Sequence, residues 1–353
     1  IILERVENLL YISQKLKEAY LFQKNIIIKK MILESVSKID TLVFDIDGVL
    51  IDVQDSFKNA VCQTVQFYFK KILKFSGSQK LIIPEEIEYF KMAGGFNNDW
   101  DLTSAVILFY LWKAEEKKIK DIDRLRSEKS SLKTYCTKML SSGGGLIKNI
   151  ELIQQKNDLK EKIFSLWDRK LVTKIFKEIY AGEDNCFNIY KFYPSIIKTK
   201  GLIKNEKIIF NQKQKVFLQN FSIGVLTGRS DEEAKIALKK LDWVDFLIDK
   251  QMMTANNVPG KPNPEGLKKL SVNLKTKLGL YIGDIRDDLL TVKNYNNESK
   301  TTRFLSAIVL GKGSNLENKL VTIYLNEGVD LLAKDVNDIL EWMDKMELEN
   351  FKE

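Results

Sequence analysis

Apolar residues in this chain fall into two patterns: short unbroken runs, and longer stretches in which they recur every three or four positions. The first pattern marks buried strands and the second amphipathic helices. Residues 41–44, Thr-Leu-Val-Phe, make the first run and predict a strand ending at Asp45, where Asp47 and Gly48 begin a loop. Before it, Leu3, Val6, Leu10, Ile12, Leu16 and Tyr20 stand at helical intervals among lysines. They predict one or two helices over 1–37, packed on the main domain or on a partner such as a second copy in a homodimer.

Helical spacing dominates the next stretch. It runs through Phe57, Val61, Val65 and Phe69, then restarts at Pro84 with Glu85 and Glu86 as a helix-start signature. It continues over 101–118, 121–141 and 149–180, broken by Ser-Ser-Gly-Gly-Gly-Leu at 141–146. Strand-like runs return at 221–229, 246–248, 278–282 and 305–310, with helical patterns at 231–241, 264–270 and 287–295 between them. Alternation of this kind builds a parallel sheet. The predicted fold class is therefore α/β. A Rossmann-like parallel sheet core over 38–52 and 196–353 is interrupted by an inserted all-helical cap domain over 53–195, with 1–37 as a helical extension.

Composition narrows the chemistry more than the fold. With 353 residues, 44% of them hydrophobic, the chain has enough apolar surface for a substantial core. Lys and Arg total 56 against 48 Asp and Glu, a net charge of +8 that is spread along the chain. It reads as a solvated surface and does not point to nucleic acid. Cys62, Cys136 and Cys186 are far apart and lack metal-binding spacing, which fits a reducing, cytoplasmic location. No apolar run is long enough to span a membrane, and the first residues lack the apolar centre of a signal peptide. The sequence contains no histidine, so a Ser-His-Asp triad, a histidine base and a His-ligated zinc are all unavailable within this chain. Carboxylates, lysine, hydroxyls or a hard cation are left to carry any catalysis.

Four polar groups of residues follow apolar ones. They are Asp45 with Asp47; Thr227 with Gly228 and Arg229; Lys261 in Val-Pro-Gly-Lys-Pro-Asn-Pro; and Asp284 with Asp287 and Asp288. Each has a plain structural explanation by itself. The DxDG stretch makes a turn; Ser230 and Glu233 form a capping box; the Gly-Lys-Pro segment is a rigid turn; Asp287 and Asp288 suit a helix start. If the strands are parallel, however, all four meet at one edge of the sheet, where ligands bind in open α/β folds. Carboxylates that close repel unless a cation lies among them, and an all-oxygen donor set favours Mg²⁺. Asp45 is then placed to attack a phosphoryl group, and Asp47 to protonate the leaving oxygen and later take a proton from water. Lys261 and the Thr227 hydroxyl are expected to hold phosphoryl oxygens, with Gly228 and Arg229 lining the substrate.

These four motifs, in this order, resemble those of the haloacid dehalogenase-like hydrolase superfamily over residues 41–57 and about 200–346. The resemblance implies Asp45 as nucleophile and Asp47 as general acid and base, whose backbone carbonyl also touches the cation. It further implies Thr227 as the second-motif hydroxyl and Lys261 as the lysine that steadies nucleophile and phosphate. Asp284 and Asp288 become the acidic fourth motif, with Asp287 an alternative to Asp288. The metal ligands would be Asp45, Asp47, Asp284 and Asp288. The insert is similar to the helical cap of the phosphoglycolate phosphatase and β-phosphoglucomutase branch of subfamily I. Lys-Met-Ala-Gly-Gly-Phe-Asn-Asn-Asp-Trp-Asp-Leu-Thr at 91–103 resembles a subfamily of microbial phosphatases, some of them fused to histidinol-phosphate aminotransferase-like domains.

Asn97, Asn98 and Trp100 in that loop are expected to read the leaving group; otherwise Asp99 or Asp101 caps the next helix and Trp100 fills the cap core. The expected function is a magnesium-dependent phosphatase for a small phosphorylated metabolite. A phosphomutase with the same nucleophile, or a non-catalytic scaffold on the same frame, is the alternative.

Overall fold

The apolar runs become strands in the computed structural model, which describes residues 13–350 apart from 97, 129, 157 and 312–316. In chain order the strands are β1 (Tyr20–Phe22), β2 (Ile26–Lys29), β3 (Thr41–Phe44), β4 (Ile51–Asp52) and β5 (Lys207–Ile208). There follow β6 (Ser222–Leu226), β7 (Met252–Met253), β8 (Leu278–Gly283), β9 (Arg303–Val309) and β10 (Leu331–Ala333). Eight of them form one sheet in the order β1-β2-β10-β9-β8-β3-β6-β7, while β4 and β5 pair separately. From β10 to β7 every pairing is parallel. All four residues of β3, in the middle of the sheet, are buried, as a parallel strand covered on both faces requires. No helix among the described residues is long and apolar enough to cross a membrane.

The chain divides into two units, residues 1–52 with 207–353, and residues 53–206. In the first, Val43, Leu226, Tyr281 and Phe304 from the sheet pack with Leu267, Leu270, Val292 and Tyr295 from the helices Glu265–Leu274 and Arg286–Glu298. Among the described residues of the second, every helix or strand element is a helix, the longest being Asp99–Lys117 and Arg169–Tyr190.

Three features of the sequence reading change. Residues 13–38 are not a helical extension: after a short helix, Gln14–Ala19, the chain forms β1 and β2, and β2 runs antiparallel beside β10. The Ile26–Ile28 run is buried there at both ends, and the Tyr20 hydroxyl donates to the Val329 carbonyl at 2.7 Å. The earlier positions of that pattern, Leu3 to Ile12, lie outside the described residues.

Phe246–Ile248 is not a strand. The Phe246 and Leu247 amides both donate to the Trp243 carbonyl in a tight turn, and the edge strand comes later, at Met252–Met253.

The helical unit ends at 206 rather than 195. Buried Glu178 accepts the amides of Ser195, Ile196 and Ile197 at 2.9, 2.8 and 2.7 Å, and the Glu183 amide donates to the Thr199 carbonyl, stitching that segment to the long helix.

Candidate active site

The site is built on the C-terminal ends of three adjacent strands. Phe44, the last residue of β3, pairs with Val225 of β6 on one side and Ile282 of β8 on the other. The next residue, Asp45, therefore leaves the sheet beside the ends of both neighbours, and its amide still donates to the Ile282 carbonyl at 2.9 Å. Thr227 follows β6, and its amide donates to the Met253 carbonyl of β7. Asp284 follows β8. Parallel order thus brings three positions distant in sequence to one edge of the sheet.

Asp45 is buried. Its Oδ1 accepts the Ile46 amide at 2.7 Å and its Oδ2 the Lys261 ammonium at 2.7 Å. The same ammonium donates to Asp288 Oδ1 at 2.6 Å, with the Lys261 side chain only 11% exposed. Asp288 is fully engaged: Oδ1 also accepts the Tyr281 hydroxyl at 2.7 Å, and Oδ2 accepts the amides of Asp284 and Ile285, each at 3.0 Å. Its first task is to shape the loop that presents Asp284 and to hold Lys261 in line. One carboxylate oxygen each from Asp45, Asp284 and Asp288 lie within 4.8 Å of one another, and Asp287 is outside that group.

Burial pushes the Asp45 carboxyl up to about 6; Lys261 draws it back, while Asp288 and Asp47 push it further. Burial pulls the Lys261 ammonium down, but Asp288 and then Asp45 outweigh it and hold it well above its ordinary value. Tyr281 stays a neutral donor, raised by burial and then by Asp288.

The Asp45 shift has a consequence for stability. A carboxyl whose folded value lies above its unfolded value favours folding fully below the unfolded value, and loses that contribution as pH rises through the folded one. In chelated, metal-free solution the Asp45→Asn protein is therefore expected to be more stable than wild type above pH 6. The gain disappears toward pH 4. Denaturant melts of both proteins across that range check it.

Gly48 is required for close approach. Its φ is +76°, and a methyl group there would run into the Asp284 carboxylate, with Cγ at 2.6 Å. Gly48→Ala is expected to displace Asp284 and add backbone strain of about 1–3 kcal/mol. A thermal melt and a metal titration should show modest destabilisation with a large loss of metal affinity.

Arg229, expected from the sequence to line the substrate, is bonded to Asp47. Its side chain is 1% exposed and donates to Asp47 from Nε at 2.9 Å and from Nη2 at 2.6 Å. Its amide donates to the Thr227 hydroxyl at 3.2 Å. Gly228 lies between them and is exposed. Ser230 and Glu233 do form the expected capping box on the helix Asp231–Lys240. Tyr281 was not singled out from sequence. Its only signal is an aromatic in a buried strand three positions before an acidic motif.

The loop at 94–101 belongs to the helical unit, where its residues have structural partners. Asn97 lies outside the described residues. Asn98, rather than Asp99 or Asp101, caps the following helix, its Oδ1 accepting the Asp101 amide at 2.8 Å. Trp100 stands edge-on to Phe176, with the Lys177 ammonium 4.7 Å from its ring centre. The two glycine loops meet backbone to backbone, since a methyl group on Gly95 would lie 2.9 Å from the Gly145 nitrogen.

The donor set fits a hard divalent cation. Three acidic side chains converge, all their donors are oxygen, and the neighbouring Lys261 offsets one charge.

No family model matches the chain. Phosphatase Tt82 from Thermococcus thioreducens is similar in structure, with a TM-score of 0.50 and 24% identity over 82% of this chain and 100% of that one. A structural-genomics target gives a TM-score of 0.53 at 16% identity, covering 87% of this chain and 99% of the other. A 72-residue stretch is 29% identical to the imidazoleglycerol-phosphate dehydratase of Phytophthora nicotianae; it is 20% of this chain and spans 14% of that protein. The chain shares its α/β fold, with a mostly parallel sheet, with these solved structures.

Proposed function

We propose that this protein is a magnesium-dependent phosphatase that hydrolyses a small phosphorylated metabolite through an aspartyl-phosphate intermediate. The observation that carries this reading is the convergence of Asp45, Lys261, Asp284 and Asp288 at the ends of adjacent parallel strands. A scaffold has no physical reason to gather three acidic side chains, two of them buried, in one place.

Asp45 forms a bond to phosphorus as the bond from phosphorus to the ester oxygen breaks. The electron pair leaves with that oxygen, which takes a proton from Asp47. Water then attacks phosphorus, gives its proton to Asp47, and releases phosphate with Asp45 restored. Lys261 steadies the Asp45 oxygen and neutralises charge on the phosphoryl group, and Thr227 offers its hydroxyl to another phosphoryl oxygen. Asp45, Asp284 and the Asp47 carbonyl would hold Mg²⁺, with Asp288 supporting them. The bound ion would offset phosphate charge and orient the ester for in-line transfer.

A reducing, cytoplasmic setting suits the three buried, unpaired cysteines. The Phytophthora protein is named for a phosphate ester, so imidazoleglycerol phosphate and histidinol phosphate join sugar phosphates, phosphoglycolate and nucleotides as test substrates. Phosphate release from this panel should require Mg²⁺ and stop on chelation. Release unaffected by chelation, or no release from any ester, counts against the proposal.

A further inference from the structure

Asp47 sits on a loop between β3 and β4, yet its carboxylate is held by a residue 182 positions away. The Arg229 guanidinium is 1% exposed against 24% for the Asp47 side chain, so the arginine is the fixed member of the pair. Its position is set from several sides. Its amide donates to Thr227 Oγ1, and Nη1 donates to the Glu233 carbonyl at 3.4 Å, in the first turn of the helix Asp231–Lys240. Nε and Nη2 then form a fork that closes on a single oxygen, Asp47 Oδ1. A planar guanidinium fixed in this way dictates both the position and the tilt of the carboxylate it grips, which a flexible ammonium cannot do.

We infer that Arg229 is a positioning residue for Asp47: it holds the carboxyl so that Oδ2 delivers the proton to the departing ester oxygen, and it makes no contact with the phosphoryl group. The inference rests on the phosphatase reading above. It deepens that reading by assigning to proton delivery a buried cation that the TGR motif alone assigns to substrate. A displacement of about 1 Å in a proton donor costs on the order of 10²-fold in rate. In the first step, transfer of the phosphoryl group to Asp45, the cost falls only on esters whose leaving oxygen must be given a proton; hydrolysis of the aspartyl phosphate, in which Asp47 takes a proton from water, is common to every ester.

Leaving groups separate this role from simple structural support. Departure of an alkoxide from an alkyl phosphate needs a proton, whereas departure of p-nitrophenolate from p-nitrophenyl phosphate does not. In this chain, Arg229→Lys keeps the charge and removes the fork, and Arg229→Gln removes both. The expected result, read as leaving-group release in a single turnover with enzyme in excess, is a fall of about 10²-fold for the alkyl phosphate and little change for p-nitrophenyl phosphate, with steady-state kcat lowered for both and binding of both held. Should Arg229→Gln fail to fold by thermal melt, Arg229→Lys carries the comparison. Equal losses on both esters in that single turnover, weaker binding of both, or no loss on either would overturn the inference while leaving the phosphatase reading standing. If the wild-type protein turns over neither ester, the phosphatase reading falls and the inference falls with it.

Discussion

The Asp45→Asn protein is expected to release phosphate at least about 10⁴-fold more slowly than wild type, with its fold intact. The amide keeps the size of the side chain and leaves Lys261 bonded to Asp288, so the cluster is preserved while its nucleophile is lost. Residual activity would come from substrate binding and charge offset alone. Since the same substitution should stabilise the metal-free protein above pH 6, activity and stability move in opposite directions. That divergence separates loss of a reacting group from loss of structure, and phosphate release beside a denaturant melt on one preparation reads both.

Lys261→Met should be damaging in both respects. The ammonium lies between Asp45 and Asp288, at 2.7 and 2.6 Å, in a site that excludes most water. Removing one partner of a buried ion pair costs about 3–5 kcal/mol, because the charges left behind are no longer offset. Turnover should fall by about 10²–10³-fold as charge stabilisation at the phosphoryl group is lost. Added Mg²⁺ should recover part of the stability, because a divalent ion can offset the same carboxylates. A thermal melt with and without Mg²⁺, together with turnover of the best substrate, checks the effect. A variant as stable as wild type without metal would mean that Lys261 does not carry this charge balance.

Much of the core was legible because burial on both faces leaves a plain mark. The largely apolar runs read at 41–44, 221–229, 278–282 and 305–310 hold or overlap the strands Thr41–Phe44, Ser222–Leu226, Leu278–Gly283 and Arg303–Val309 of the parallel sheet. Short edge strands leave a weaker mark. β7 has two residues, and the more apolar Phe246–Ile248 run beside it is drawn into a turn around Trp243. β1 and β2 were hidden among lysines in a stretch with helical spacing; β2 is a strand by pairing with β10, some 300 residues away, and β1 by pairing with β2.

The site divides in the same way. Asp45, Lys261 and Asp284 could be picked out because strand ends in a parallel sheet converge on one edge. The partners could not, since nothing near Arg229 in sequence announces Asp47, and nothing near Asp288 shows that its two oxygens are filled by Lys261, Tyr281 and two amides. Those contacts depend on side-chain directions that only the folded chain fixes.

The most direct test of the central claim is to quench the protein in acid during turnover with Mg²⁺ and its best ester, then map peptide masses. The prediction is one phosphoryl group on the peptide that carries Asp45, absent from the Asp45→Asn protein. Steady turnover with no phosphorylated peptide, and with Asp45→Asn releasing phosphate at the wild-type rate, would contradict it.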